Sequence, residues 1–181
     1  MIYRLKDANG DWCMTEEDFI NIVTSYFEEL SSTSHPSGLD DVLNCIQPRV
    51  TEEANDKLCK PYTHDDVDQA LAQMHPHKAP RLDGMNPFFF QKFWDIVGND
   101  VFATVLSILH GHLIPTVLIR TFVALIPKKA KPESIFEFTP ISLCNVIYKL
   151  VTKVIANHLK PLLPHIISDM QGAYVQGRLM A

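Results

Sequence analysis

A strand, a basic turn and a long helix follow one another between Thr121 and Lys160, and this succession limits the folds open to the chain more than any other stretch. TFVALIP at 121–127 carries β-branched and aromatic residues over one strand length and stops at Pro127. ISLCNVIYKLVTKVIANHLK at 141–160 sets Ile141, Val146, Leu150, Val154 and Leu159 near helical spacing. Between the two stand Lys128, Lys129 and Lys131. A cationic turn fixed by a strand on one side and an amphipathic helix on the other holds positive charge against a polyanion at a defined place. Lysines in such a turn also serve simply as solvated surface, so the residues alone leave both readings open.

The N-terminal part reads as local structure. Asp7-Ala8-Asn9-Gly10 lies between short arms at 3–6 and 11–14, and Asn-Gly is a tight-turn signal, so a hairpin is expected. Arms this short need support from elsewhere in the fold. Thr15 with Asp18 three residues on forms a capping box, and Phe19, Ile22, Val23, Tyr26, Phe27 and Leu30 share one face of the helix it starts. SSTSHPSG at 31–38 ends that helix as a linker. Short helices are expected over 40–46 and 51–58, the second with Glu52 and Glu53 in its first turn. Thr63 and Asp66 repeat the capping signal for a helix presenting Val67, Ala70, Leu71 and Met74 and stopping at Pro76.

KAPRLDG at 78–84 is turn-rich and leads into NPFFFQKFWDIVG. Phe88, Phe89, Phe90, Phe93, Trp94 and Val97 are expected to form the centre of the core, with Gly98 ending their helix. Exposed aromatics of this kind also act as base-stacking platforms, but the company of Ile96 and Val97 favours the core. DVFATVLSILH at 100–110 is the next helix, with Val101, Val105, Ile108 and Leu109 inward, and Pro115 separates it from a strand read over 117–127. Helices outnumber strands, so the expected class is α+β, mostly helical, with a small antiparallel sheet.

With 181 residues, 46% of them hydrophobic, the chain is large enough for one ordinary domain or a small domain plus an appendage. Five basic residues face fifteen acidic ones in 1–76, whereas eleven face six in 77–181, so the net charge of −5 hides a basic C-terminal half. Such a chain is a poor free-standing DNA binder, yet its basic half is suited to lining part of a nucleic-acid channel. No apolar run reaches about 18 residues and no leader pattern follows Met1, so neither a membrane span nor a secretory signal is expected, and cytoplasm or nucleus is the default location. Cys13, Cys45, Cys59 and Cys144 are widely spaced and read as reduced thiols. His75 with His77 and His110 with His112 lack further ligands nearby, so no metal site is expected.

Several separated blocks resemble, in the family's order, the reverse transcriptase of plant LINE-type (non-LTR) retrotransposons. They are MHPHKAPRLDGM, FFFQKFWDIVGNDV, ALIPK at 124–128, KPE at 131–133, PISLCNVIYK at 140–149 and VTKVIANHLKPLLPHIISDMQGAYVQGRLM, with YRLKDANGDW near the start a looser match to the segment ahead of the polymerase. The resemblance implies a fragment of an RNA-directed DNA polymerase whose small sheet and helices resemble the fingers region of a right-hand polymerase. It divides the chain into a pre-polymerase region at 1–37, hairpin and helix, and a truncated reverse transcriptase domain at 38–181, fingers and the approach to the palm.

The resemblance also implies roles. Lys128 matches one of two fingers cations that hold the triphosphate of the incoming nucleotide, with Lys129 and Lys131 beside it as further phosphate contacts. The second family cation, an arginine, is Thr139 here; a hydroxyl carries no charge and lacks the guanidinium's bidentate fork, so a weak grip is expected. Gln171, Tyr174 and Arg178 match a block that implies template or primer contact, with Gly172 in place of the family's serine, and Arg81 and Leu82 replace the family's Gly-Pro in an earlier turn. The complete family enzyme uses Mg²⁺ held by palm aspartates on a strand and on a hairpin. Asp40-Asp41 and Asp65-Asp66 lack that context, so this chain alone is expected to be inactive, with no catalytic residue, metal or cofactor of its own. An RNA template or RNA:DNA hybrid, weakly held, and the remaining polymerase domains are the implied partners, and no membrane. Two alternatives stay open: a non-catalytic RNA- or DNA-binding module, and a fragment that docks on proteins.

Overall fold

Residues 4–35, 37–77, 84–168, 170, 171, 175 and 178 are described by a computed structural model. It is about half helical with two small antiparallel sheets of two strands each, the α+β class that the sequence led us to expect. Of the turn expected at 78–84, residues 78–83 with Arg81 and Leu82 lie outside the described residues, as do Gly172 and Tyr174. Among the described residues, no helix is long and apolar enough to cross a membrane.

One unit of the chain joins Met1–Ile46 to Val123–Ser142. Its hairpin pairs β1 (Leu5–Lys6) with β2 (Trp12–Cys13), Leu5 opposite Cys13 and Lys6 opposite Trp12. The turn closes because Asp7 Oδ1 accepts the amides of Asn9 and Asp11, each at 2.9 Å, while Gly10 adopts φ +91°, which side chains disfavour. Arms of two residues do not persist alone. Here Lys6 N donates to Glu133 O at 2.6 Å and the Leu5 side chain is fully buried. Helix α1 (Glu16–Ser31) opens with the capping box read from Thr15 and Asp18, and its apolar stripe is half-buried from Phe19 to Phe27 while Leu30 is exposed, with Tyr26 lying edge-on to Phe136 and ring centroids 5.2 Å apart. A short helix α2 (Leu39–Asn44) follows left-handed Gly38. The second sheet pairs β3 (Phe122–Pro127) with β4 (Phe138–Leu143), and a 3-10 turn at Ile135–Glu137 sits between them, anchored by buried Ile135 and Phe138.

The other unit, Gln47–Phe122 with Leu143–Ala181, is helical. Thr51 caps α3 (Glu52–Leu58), and the Thr63–Asp66 box caps α4 (His64–Ala72). Then come α5 (Pro87–Lys92), α6 (Trp94–Leu109), α7 (Thr116–Ile119), α8 (Val146–Leu159) and α9 (Leu163–Ile166). The core gathers Val67, Ala70 and Leu71 of α4, Phe90 of α5, Val101 and Val105 of α6, and Val146, Leu150, Val151 and Val154 of α8. Spacings of three and four residues put each helix's share on one face, which is why these positions meet. Fully buried Leu150 contributes about 1.5–3 kcal/mol relative to exposure.

Several boundaries differ from the sequence reading, each for a local reason. Ile141 lies in β4 and not on the long helix, because Asn145 Oδ1 accepts the Tyr148 amide at 2.8 Å and starts α8 at Val146. The same Asn145 donates through Nδ2 to Leu118 O at 2.8 Å, at the end of α7, where a strand was expected. Gly98 does not end a helix; it lies buried within α6, where a Cβ would come 3.0 Å from Cδ2 and Cε2 of the Trp94 indole that crosses it. The aromatic segment is also split. Phe93, at φ −110° and ψ 25°, breaks α5 from α6, so that Phe90 is 5% exposed whereas Phe88 and Phe93 are 44% and 39% exposed.

Candidate functional site

The basic turn begins where β3 stops. Lys128 N donates to Glu137 O at 2.8 Å, and Lys128 Nζ donates to Phe136 O at 2.9 Å, so this lysine is folded back on the 3-10 turn. Lys129 Nζ lies 2.6 Å from Glu137 Oε1, while Glu137 Oε2 accepts the Glu133 amide at 2.7 Å. Glu133 in turn receives Lys6 Nζ at 2.7 Å. Two ion pairs, Lys6–Glu133 and Lys129–Glu137, thus meet at one short connection, with Lys128 held on a backbone carbonyl beside them. The hydrogen bond from Lys6, and then its charge, hold the Glu133 carboxyl below its usual range. Lys129 does the same for Glu137, aided by the Glu133 amide. These pairs are largely solvent-exposed, so they order the turn more than they stabilise the fold.

Lys131 is exposed and, among the described residues, has no carboxylate partner. Thr139 sits exposed on β4. The turn therefore presents Lys131 outward, with Lys129 already neutralised and Lys128 engaged through its ammonium on a carbonyl.

Gln171 and Arg178 come together in the other unit. Arg178 Nη1 donates to Ser168 O at 2.6 Å, Gln171 O at 3.1 Å and Ile167 O at 3.3 Å, and Nη2 donates to Pro164 O and Ile167 O at 3.2 Å each. The guanidinium fan fits this role because its five donors diverge in a plane, collecting the carbonyls that a helix end leaves unpaired. Sequence reasoning missed Lys6, Glu133 and Glu137. The spacing of Glu133 and Glu137 across a short turn was a usable signal, whereas nothing local ties Lys6 to Glu133, 127 residues away.

The carboxylates are engaged in other ways. Asp66 serves the α4 cap and lies 3.1 Å from His158 Nε2, and Asp68 Oδ1 accepts Trp94 Nε1 at 2.9 Å. Among the described residues no group of three or more His, Cys, Asp or Glu side chains is placed to hold a metal ion.

No family model matches the chain. It is similar to the Transposon TX1 uncharacterized 149 kDa protein of Xenopus laevis, with 36% identity over 156 residues, which cover 85% of this chain and 12% of that protein. The chain is thus similar to a transposon protein, and it spans about an eighth of that relative's length.

Proposed function

We propose that this chain is a nucleic-acid-contacting part of a non-LTR retrotransposon reverse transcriptase, and that its basic turn meets the phosphates of an RNA template, an RNA:DNA hybrid or a nucleotide. The observation that carries the reading is the Lys128–Lys131 turn. Its backbone is tied to Glu137 and its flanks to buried Ile135 and Phe138, so a solvent-facing Lys131 is held at a fixed place. Similarity to a transposon protein supports the same assignment. On this reading the segment supplies position and charge. Metal chemistry belongs to the palm carboxylates, which the resemblance places after these blocks.

Few phosphates are neutralised by such a turn, and fifteen acidic residues in 1–76 oppose the approach of a polyanion. Affinity for single-stranded RNA is therefore expected at about 10⁻⁴ to 10⁻⁶ M, with little sequence preference and a steep decline with salt. Fluorescence anisotropy of labelled RNA across a salt series tests this, comparing the parent chain with a Lys128→Ala, Lys129→Ala, Lys131→Ala variant. Loss of binding in the variant supports the reading. Unchanged binding, or nanomolar affinity insensitive to salt, overturns it.

A further inference from the structure

A second surface of the helical unit has the composition of a stacking site. Phe88, in the first turn of α5, and Phe93, at the break between α5 and α6, are 44% and 39% exposed although the rest of the aromatic segment turns inward. Lys92 Nζ lies 5.8 Å from the Phe88 ring centroid and 5.6 Å from that of Phe93, so one ammonium stands between two exposed rings. Beyond Phe88 the strip continues. The His77 ring stacks on Phe88, with centroids 5.8 Å apart and planes inclined by 26°, and His75 meets His77 edge-on at 6.1 Å. Backbone contacts hold this arrangement: Phe88 N donates to Pro76 O at 3.3 Å, and His77 N donates to His75 Nδ1 at 3.3 Å.

We propose that His75, His77, Phe88, Lys92 and Phe93 form a base-stacking platform for single-stranded nucleic acid. Every base has a π face, so aromatic rings at the surface accept successive bases without regard to sequence, and a cation between them answers the phosphate that links two bases. Lys92 is available for this, since among the described residues it has no carboxylate partner. A protein partner would be better served by a continuous aliphatic patch; here each ring alternates with a cation or an imidazole. Duplexes are excluded because their bases already stack on one another. The proposal rests on the nucleic-acid reading above and deepens it, naming unpaired strands as the ligand, and it uses none of the lysines of the basic turn.

The test uses the full chain and twelve-nucleotide oligomers of weakly stacking uracil (RNA) and thymine (DNA), with a central 2-aminopurine whose fluorescence falls when it stacks on an aromatic ring. Quenching is expected with both single strands and not with the matching duplexes. Phe88→Ala with Phe93→Ala should weaken binding at least tenfold and remove the quenching, since each base–aromatic contact contributes on the order of a tenfold change. Phe88→Tyr should retain it, and Lys92→Gln should weaken binding while leaving the residual quenching. Circular dichroism checks that the paired alanine variant is folded, and Phe88→Tyr with Lys92→Gln carry the test if it is not. The basic-turn triple alanine variant separates the two ideas. Quenching that persists there but vanishes in the phenylalanine variant supports the platform and overturns the turn. The opposite pattern overturns the platform alone, and no quenching by either single strand overturns the platform outright. Equal quenching of duplexes also overturns it.

Discussion

His158 Nε2 lies 3.1 Å from Asp66 Oδ1, so the last turn of α8 is tied to the residue that caps α4. Burial works against the Asp66 charge, but the amide and hydroxyl of Thr63, at 2.7 and 2.8 Å, and then His158 outweigh it and hold the carboxyl below its ordinary value. The folded chain then binds this proton less tightly than the unfolded chain. The stabilisation is fully present above the unfolded pKa, about 3.9, and is lost as pH falls through the lower folded value. Asp66→Asn is expected to flatten that part of the stability curve, and Asp66→Ala to cost about 1 kcal/mol at neutral pH through the cap. Urea unfolding from pH 6 to pH 2 measures both, and a parent curve parallel to that of Asp66→Asn counts against the argument.

Gly98→Ala sets helix propensity against packing. Alanine favours the interior of α6 by about 1 kcal/mol, but its methyl would press at 3.0 Å on an indole that Asp68 fixes through Trp94 Nε1. Overpacking costs about 1–3 kcal/mol, so net destabilisation on the order of 1 kcal/mol is expected. In a Trp94→Phe background the smaller ring can shift and the same substitution should become neutral or favourable. A double-mutant cycle in urea reads the reversal, and stabilisation of the parent by Gly98→Ala would show that the indole yields freely.

The lysines of the turn should not be equal. Lys129 already faces Glu137 at 2.6 Å, whereas Lys131 is exposed without a carboxylate partner among the described residues. Lys131→Ala is therefore expected to weaken RNA binding more than Lys129→Ala, and Glu137→Gln to strengthen it by releasing Lys129. The salt slope should change by about 0.7 for every phosphate of a single strand that is newly neutralised or set free. Equal effects of the two alanine substitutions in anisotropy titrations would show that the ion pair does not restrain Lys129.

Thr139→Arg places a guanidinium on β4, at an exposed position in the sheet that precedes and follows the basic turn. Binding of a fluorescent nucleoside triphosphate should tighten by about tenfold, since charge-assisted bidentate hydrogen bonds contribute on that scale. No tightening would mean that this face of β4 is not directed at the ligand bound by the turn.

Arg178→Lys should loosen the segment after α9, because a single ammonium cannot reach the carbonyls of Pro164, Ile167, Ser168 and Gln171 together. Amide exchange there is expected to speed up about tenfold or more. The RNA salt slope should not move if the residue's work is done on the backbone. A reduced slope with unchanged exchange would assign Arg178 to phosphate instead.

What the sequence disclosed was local. The Thr15–Asp18 and Thr63–Asp66 boxes span three residues, and both appear where the motif placed them. The core stripe of α4 followed from spacing in the same way, with Val67, Ala70 and Leu71 buried. Gly98 misled because its usual reading, a helix stop, assumes no neighbour that needs its missing side chain. Phe88 and Phe93 misled because apolarity does not say which face of a short, broken helix turns outward. Pairings such as Asp66 with His158, 92 residues apart, leave no trace in local spacing. For the candidate site, three lysines could be seen in the sequence, but their unequal engagement depended on Glu133 and Glu137 once the turn had closed.

The N-terminal hairpin has a consequence in time. Its outer arm closes on Glu133, and the unit it belongs to resumes only at Val123, after the whole of Gln47–Phe122 has been made. On a ribosome adding about 5–20 residues per second, Lys6 waits roughly 6–25 s for the partner 127 residues behind it. During that interval the two-residue strands and the half-buried stripe of α1 have only each other, and the apolar face that Phe136 will cover is open to chaperones and to other nascent chains.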